Sequence, residues 1–385
     1  MRTIFPASAF LLLAFTMPAA THAQDGDIEA LRAAVAELRA DYDSRIAELE
    51  RRLAVAEQNA AQASYAAQQS VVAAAPSTGS SSSAFNPAIG VVFQGQARRT
   101  DASASDEEEG YLLGETEVIM QANVDDKFRA WLTAAIALED GESVIEIEES
   151  WVEATALPAG FNARFGRFAS GIGYLNDKHS HQWDFADQPL PYKAFLEGRY
   201  FDGGLQMRWL APTDLYMELG GEVLQGEGTG SGLNSHSLFA NFGGDIGTNS
   251  SWLAGGSYLE IDDSTSVSVA HFLWKWAPQG NWRQKNFVFQ TEYLERRDTV
   301  TDKGWYAQAV FQPIQRWRFG VRADALDLDF DSNDPRRWTL MMDWSNSEFS
   351  RFRLQVARDD DGADTSNEWA LQYIHSIGAH GAHTF

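Results

Sequence analysis

A regular alternation of apolar and polar residues, running from residue 85 to the C-terminus, constrains this fold more than any other feature of the sequence. In segment 318–325, charged residues and glycine alternate with Phe, Val and Ala, and segment 337–344 alternates in the same way. A period of two predicts β-strands that have one apolar and one polar face. About sixteen such segments follow one another, so we predict an all-β fold for this part.

The connections between these segments alternate in length. Short joints such as LPAG, APTD and SNSE are followed by longer, acidic ones such as TDASASDEEEG and DDDGADT. Short turns at one end, long polar loops at the other and an even strand number are typical of an outer-membrane β-barrel. We therefore expect residues 85–385 to form a 16-stranded antiparallel transmembrane barrel. The alternative is a soluble β-sandwich or propeller, but a sandwich would bury its apolar face and would not need aromatic residues near the strand ends.

Composition excludes several functions. The chain carries 30 Lys+Arg against 54 Asp+Glu, a net charge of −24, which argues against a nucleic-acid partner because phosphate binding needs a basic surface. The absence of cysteine excludes disulfides, thiolate metal sites and cysteine nucleophiles. Ser235 and His236 are neighbours in sequence and no GxSxG motif is present, so we expect neither an enzyme nor a cofactor.

The N-terminal region has a different character. Residues 1–23 combine Arg2 with a short apolar stretch and a final THA, which predicts a secretory signal peptide. Residues 24–58 carry apolar residues at steps of three and four, which predicts a periplasmic coiled coil, and residues 59–84 are a low-complexity linker. The alternatives are an uncleaved membrane anchor for the first segment and a single helix packed on the barrel for the second.

Two local segments and the order of these regions carry a family resemblance. The segment FGRFASGIGYLNDKHSHQWDFADQPL spans residues 165–190, and FNPAIG opens the first strand at 85–90. Together with the signal peptide, coiled coil, linker and barrel, they resemble the phosphate-selective porin O/P family. The resemblance implies a homotrimeric channel in the outer membrane of a Gram-negative bacterium, with basic residues that select anions.

The predicted lumen wall departs from that family. Glu115, Glu117, Glu146 and Glu148 alternate with apolar neighbours and are expected to face the lumen, where they would repel phosphate. They indicate either cation preference or simple hydration of a wide lumen. The full predicted wall comprises Glu115, Glu117, Glu146, Glu148, Arg164, Arg167, Arg208, Arg318, Arg322, Arg337, Arg351 and Arg353.

The connection at residues 169–198, after the fifth strand, is the longest in the predicted barrel and is expected to fold into the lumen as a constriction. Its candidate residues are Tyr174, Asp177, Lys178, His179, His181, Trp183, Asp184 and Asp187. We expect its aspartates to lie near Arg164, Arg167 and Arg208 of the neighbouring strands, and they could also face the arginines of another sector, which are Arg318, Arg322, Arg337, Arg351 and Arg353. The alternative is that these charges form ordinary ion pairs that anchor the loop.

Histidine spacing offers a weak metal signal. His179 and His181, with Asp177 and Asp184 nearby, and the C-terminal His380 and His383 have side chains that bind borderline metals, but an HxH pair on a loop is common without one. No metal site is therefore predicted.

The sequence favours a passive porin for small polar solutes or ions. Its expected partners are outer-membrane lipid, two further copies of the chain, and peptidoglycan or a periplasmic partner through the arm. The alternative is a non-conducting or metal-linked binding or tethering protein that uses the barrel as an anchor.

Overall fold

A computed structural model describes most of the C-terminal part of the chain. The described residues are 87–102, 109–139, 142–226, 232–329 and 334–378. The predicted signal peptide, coiled coil and linker lie outside them, as do His380 and His383.

Seventeen strands in the described part of the chain form one antiparallel sheet. They are β1 (Ala88–Thr100), β2 (Gly110–Leu113), β3 (Thr116–Asn123), β4 (Phe128–Glu139), β5 (Glu142–Ala154), β6 (Phe161–Ala169), β7 (Phe201–Leu210), β8 (Tyr216–Leu224), β9 (Ser235–Ile246), β10 (Ser250–Glu260), β11 (Ser266–Trp276), β12 (Asn286–Arg297), β13 (Thr301–Ile314), β14 (Trp317–Asp327), β15 (Arg336–Ser347), β16 (Ser350–Asp360) and β17 (Thr365–Gly378). One helix, α1 (Leu190–Leu196), interrupts the connection between β6 and β7.

The sheet closes on itself through β1. This strand pairs with β17 along one edge and with β2 and β3 along the other. Because β2 and β3 follow each other along β1, they are two halves of one strand that is broken at Gly114 and Glu115. When β2 and β3 are counted as one strand, the barrel has sixteen antiparallel strands, and the predicted fold class is confirmed.

The barrel has its apolar face outside and its polar face inside. On β15, Trp338 and Leu340 are each 62% exposed, whereas Arg337 and Thr339 between them are buried. The same alternation holds on β14, where Phe319 is exposed and Arg322 is buried. An exposed apolar surface of this extent suits lipid rather than water.

Aromatic side chains line the end of the barrel where the turns are short. Ring centroids are 6.4 Å apart between Trp317 and Trp344, 5.9 Å between Trp344 and Phe352, and 4.5 Å between Phe352 and Tyr373. Aromatic rings concentrate at the interface between lipid and water, so this row marks one membrane boundary. No helix among the described residues is long and apolar enough to cross a bilayer.

One residue of the predicted lumen wall, Arg167, is not part of it. Arg167 pairs with the exposed Ser150 and has the same parity as the exposed Phe165, so the prediction was wrong for Arg167. Residues three apart on a strand lie on opposite faces, and Arg164 is the inward one. Glu146 keeps the inward parity, because it pairs with Ala135, which is 4% exposed and pairs in turn with the buried Glu117. Its side chain is 63% exposed and contacts Arg167 at 3.7 Å.

Gly166, in the FGRF motif, is required by a close approach between β5 and β6. Its φ of +131° is disfavoured for other residues, and a Cβ atom there would lie 2.1 Å from the Ser150 carbonyl oxygen. It pairs with Trp151, whose ring stacks on Trp131 at 5.9 Å inside the barrel.

We expect Gly166→Ala to destabilise the barrel by about 1–3 kcal/mol, because it adds backbone strain and a contact with Ser150. The measurement is the temperature at which the folded band is lost in semi-native gel electrophoresis. Gly95→Ala is the matched control, since a Cβ atom at Gly95 would meet nothing within 4 Å. Equal midpoints for the two variants would contradict this account.

Candidate functional site

The candidate site is built by the lumen loop, which we define as residues 170–200 between β6 and β7. Its two ends are joined, because the Ser170 amide donates to the Tyr200 carbonyl at 3.0 Å. The Asn176 side-chain amide donates to the same two residues' carbonyls at 2.8 and 3.0 Å. The loop therefore leaves and re-enters the wall at one place, and everything between these ends projects into the barrel.

Apolar packing holds one side of the lumen loop against the wall. The loop residues Ile172, Leu175, Tyr192, Phe195 and Leu196 are buried in one cluster with wall residues Leu224, Leu259, Val267, Leu294 and Tyr306. Removing apolar surface from water stabilises by about 25 cal/mol per Å², so a loop with this composition is driven into contact. Within the loop, α1 starts at Leu190-Pro191 and ends at Glu197 in the left-handed conformation.

Two buried wall glutamates that the sequence analysis did not single out fix the first turn of the lumen loop. Glu222 on β8 accepts hydrogen bonds from the Gly171 amide at 2.8 Å and from Ser170 Oγ at 2.5 Å. Glu292 on β12 accepts from the amides of Tyr174 at 2.8 Å and Leu175 at 3.1 Å. Both occupy inward positions of alternating strands, which is the signal that identifies them in the sequence.

Asp187 is the main ionic anchor of the second half of the loop. Arg322 donates to its carbonyl at 2.8 Å and to Oδ1 at 3.1 Å, and Arg337 lies 3.1 Å from Oδ2. Gln355 donates to Oδ1 at 2.8 Å. Burial opposes ionisation of Asp187, but Arg322, Arg337 and Lys193 outweigh it and hold its pKa well below the usual range.

Further arginines on β14 and β16 bind the loop backbone. Arg353 donates to the carbonyls of Phe185 at 2.6 Å and Trp183 at 2.7 Å. Arg351 donates to the His181 carbonyl at 2.8 Å, and Arg318 pairs with the Asp184 carboxylate. These bonds tie the loop to the wall that lies beyond β13.

Asp184 and Asp187 therefore meet arginines of the more distant sector, and the expectation that they lie near Arg164, Arg167 and Arg208 was wrong. Arg164 instead lies 3.5 Å from Glu153, and Arg208 lies 3.7 Å from Glu218. The physical reason is that the loop crosses the lumen, so its second half reaches β14–β16 rather than the strands next to its ends.

A glutamate–histidine cluster occupies the middle of the loop. It comprises Glu115, Glu117, Glu148, Glu149, His179 and His181. The two imidazole rings stack at 5.8 Å, and Ser180 between them donates to Glu115 at 2.7 Å. Burial opposes protonation of His179, but hydrogen bonds with Glu117, Glu148 and Glu149 outweigh it and hold its pKa well above the usual value. Glu117 and Glu148 thus point inward, but the loop covers them.

Asp177 is the loop aspartate that stays accessible. Its side chain is 45% exposed, although the loop around it lies inside the barrel. Lys178 Nζ lies 2.9 Å from it. Burial opposes ionisation of Asp177, but Lys178, Arg208 and Arg164 outweigh it and lower its pKa. Of the three loop aspartates, Asp177 is the one whose pKa is lowered by Arg208 and Arg164, which lie on the strands next to the ends of the loop.

A cavity of about 490 Å³ opens beside this part of the loop and extends to the short turn between β15 and β16. Its charged and amide lining includes Lys178, Asp184, Lys275, Gln308, Arg318 and Arg351. Tyr174, Trp183 and Trp282 add aromatic surface. Four charged lining residues are basic, against two acidic ones, Asp184 and Glu348, whereas the predicted Glu117 and Glu148 are buried.

The fold is that of outer-membrane porins. An anion-selective porin from Comamonas acidovorans has 8% sequence identity and a TM-score of 0.56, covering 76% of this chain and 99% of that one. OprB of Pseudomonas putida has 11% identity and a TM-score of 0.55, covering 76% and 94%. The outer membrane channel DcaP of Acinetobacter baumannii has 11% identity and a TM-score of 0.51, covering 76% and 97%.

Sequence comparison places the chain in a family. It is 32% identical to an uncharacterised protein of Aquifex aeolicus (strain VF5), over 72% of this chain and 71% of that protein. The chain belongs to the family of this Aquifex protein. No protein-family model matches the chain, so its resemblance to the phosphate-selective porin O/P family stays a prediction.

We expect Asp187→Asn to loosen the second half of the lumen loop, because it leaves the buried Arg322 and Arg337 without this carboxylate. Breaking a buried ion pair by removing one partner costs about 3–5 kcal/mol. The measurement is limited proteolysis within residues 170–200. Asp214→Asn, in the exposed turn between β7 and β8, is the control.

The same anchor has a defined pH dependence. Because the pKa of Asp187 is lowered on folding, its stabilisation is present above the unfolded value of about 4 and is lost as the pH falls through the folded value. Pepsin cleavage of the loop should therefore begin only below about pH 4. Asp187→Asn should lack this transition, and a transition of equal size in both proteins would rule out Asp187 as its source.

Proposed function

We propose that the protein is an outer-membrane porin, a water-filled channel for the passive diffusion of small polar solutes and ions. The outward apolar face, the aromatic row at the short-turn end and the porin fold support insertion in the outer membrane. The inward polar face and the cavity beside the lumen loop support a hydrated path.

In this proposal the lumen loop is the constriction. Wall groups on β8 and β12 hold its first turn, and groups on β14–β16 hold its second half. A loop fixed on both sides narrows the lumen without needing to move. Asp177 on the loop and Arg164 and Arg208 on the wall then provide opposite charges along the path, a field that orients polar solutes.

The observation that carries the proposed selectivity is the contrast between glutamates that the loop covers and basic side chains that line the cavity. Glu117 and Glu148 are 0% and 3% exposed. Lys178, Lys275 and Arg318 line the open cavity. We therefore propose that small anions permeate better than cations, in agreement with the prediction from family resemblance rather than with that from the inward glutamates.

Passive transport also agrees with the placement of the one Ser–His pair considered for catalysis. Ser235 is buried and donates to the Glu260 carbonyl at 2.8 Å. The neighbouring His236 is exposed and lies 3.5 Å from the Glu260 carboxylate. The two side chains are on opposite faces of β9, where they cannot share a proton. Assembly as a trimer, and contact of the N-terminal arm with peptidoglycan or a periplasmic protein, are further parts of the proposal.

Charge variants at the constriction test this function directly. In planar bilayers with a KCl gradient, Asp177→Asn should move the reversal potential further towards anions, because it removes the accessible carboxylate. Arg208→Gln is the matched variant of opposite sign and should move the potential towards cations. Potentials that stay at the parent value in both variants would place the constriction elsewhere.

Shortening the lumen loop tests its role as the narrow point. Replacing residues 171–199 by a short Gly/Ser turn joins Ser170 to Tyr200, which are already hydrogen-bonded. We expect single-channel conductance to rise several-fold. A parent barrel that does not conduct at all would favour the non-conducting anchor, for which the extensive bonding of the loop to the wall is the supporting observation.

A further inference from the structure

The glutamate–histidine cluster has a geometry that the channel proposal does not use. A bulge in β5, opposite Thr133 and Ala134 of β4, points the consecutive residues Glu148 and Glu149 into the barrel. Bulges commonly redirect side chains at functional positions. As a result, the two carboxylates face the two nitrogen atoms of one imidazole. His179 Nδ1 lies 3.0 Å from Glu148, and Nε2 lies 3.3 Å from Glu149.

A second carboxylate completes a three-ligand set around His179 Nδ1. Glu117 Oε2 lies 3.2 Å from this nitrogen, and ligand atoms of Glu117, Glu148 and His179 all fall within 4.8 Å of one another. Tetrahedral ligands of a zinc-sized ion at about 2.0–2.2 Å are themselves about 3.3–3.6 Å apart. The observed separations of 3.0 and 3.2 Å are a few tenths of an ångström shorter, so small side-chain shifts would let these atoms share one ion.

One buried oxygen, Glu117 Oε2, points into this ligand set. Glu117 is 0% exposed, and its Oε2 lies 3.2 Å from His179 Nδ1 but accepts no well-directed hydrogen bond from the described residues. A buried carboxylate oxygen without a well-directed hydrogen bond is costly, so the site favours a positive ion at this position. The other oxygen, Oε1, is held by His181 Nδ1 at 2.9 Å, which fixes the direction of Oε2.

The charge of the cluster supports the same conclusion. Glu115, Glu117, Glu148 and Glu149 carry four negative charges when ionised, and Arg199 pairs with Glu148 and Glu115. Arg199 and a protonated His179 offset two of these four charges, so a negative excess remains. A divalent cation that displaces the His179 proton would reduce this excess by one charge.

We propose that Glu117, Glu148 and His179 Nδ1 bind a divalent transition-metal ion such as Zn²⁺, which joins the lumen loop to β3 and β5. One nitrogen and two oxygen ligands without sulfur are typical of borderline divalent metals. Glu149 then accepts a hydrogen bond from His179 Nε2, the carboxylate–histidine–metal arrangement that orients a ligating imidazole. His181 and Arg199 orient the two carboxylates, and the ion holds the loop in place.

The test is zinc binding by the full, untagged chain in detergent after removal of metal with a chelator. Calorimetric titration with Zn²⁺ alone should show one ion per chain. Glu117→Gln and His179→Gln should each weaken binding at least about tenfold. His236→Gln, which removes an exposed histidine outside the cluster, should bind like the parent.

X-ray absorption of the zinc-loaded parent protein gives a readout that needs no variant. It should show one imidazole among oxygen ligands. Absence of stoichiometric binding, survival of tight binding in both cluster variants, or a spectrum without imidazole would each overturn the proposal. Because neither measurement records conductance, this site can fail while the channel stands, and the reverse also holds.

Discussion

The structure depends on one constraint, which is that charges turned into the barrel need partners of opposite charge. An apolar outer face forces the polar positions of every strand inward, where Arg322, Arg353 and Asp343 are almost completely buried. Burial of an unpaired charge is costly, so the inner wall needs counter-charges and hydrogen-bonding groups. The lumen loop supplies many of them, with Asp187 between Arg322 and Arg337 as the clearest case.

The same pairing rule decides which charges are available to a solute. Charged wall residues that the loop covers, such as Glu117 and Glu148, form hydrogen bonds with histidines of the loop. Charged residues such as Lys275 and Arg318 line the cavity that the loop leaves open. The net charge of the chain is thus a poor guide to the path, since an acidic protein has a predominantly basic cavity.

Small departures from regular strand geometry place the residues of greatest chemical interest. The bulge of β5 turns Glu148 and Glu149 to the same side, and the unusual φ of Gly166 allows β6 to approach Ser150 closely. Both lie next to the point where the lumen loop leaves the wall. The regular barrel therefore provides the frame, whereas its irregular positions set the position of the loop and of His179.

The sequence by itself determined the strands, their number and, for most residues, the face that each occupies, because side-chain direction in a strand follows from a period of two. That rule identifies Arg322 and Arg353 as inward, and its strict application separates Arg164 from Arg167. Only the tertiary structure decided which of the candidate arginines the loop meets, since Asp187 pairs with Arg322 and Arg337 across more than a hundred residues of chain. It also decided that Glu117 is covered by the loop. Exposure depends on where the loop packs, and the local alternation of residues contains no information about that packing.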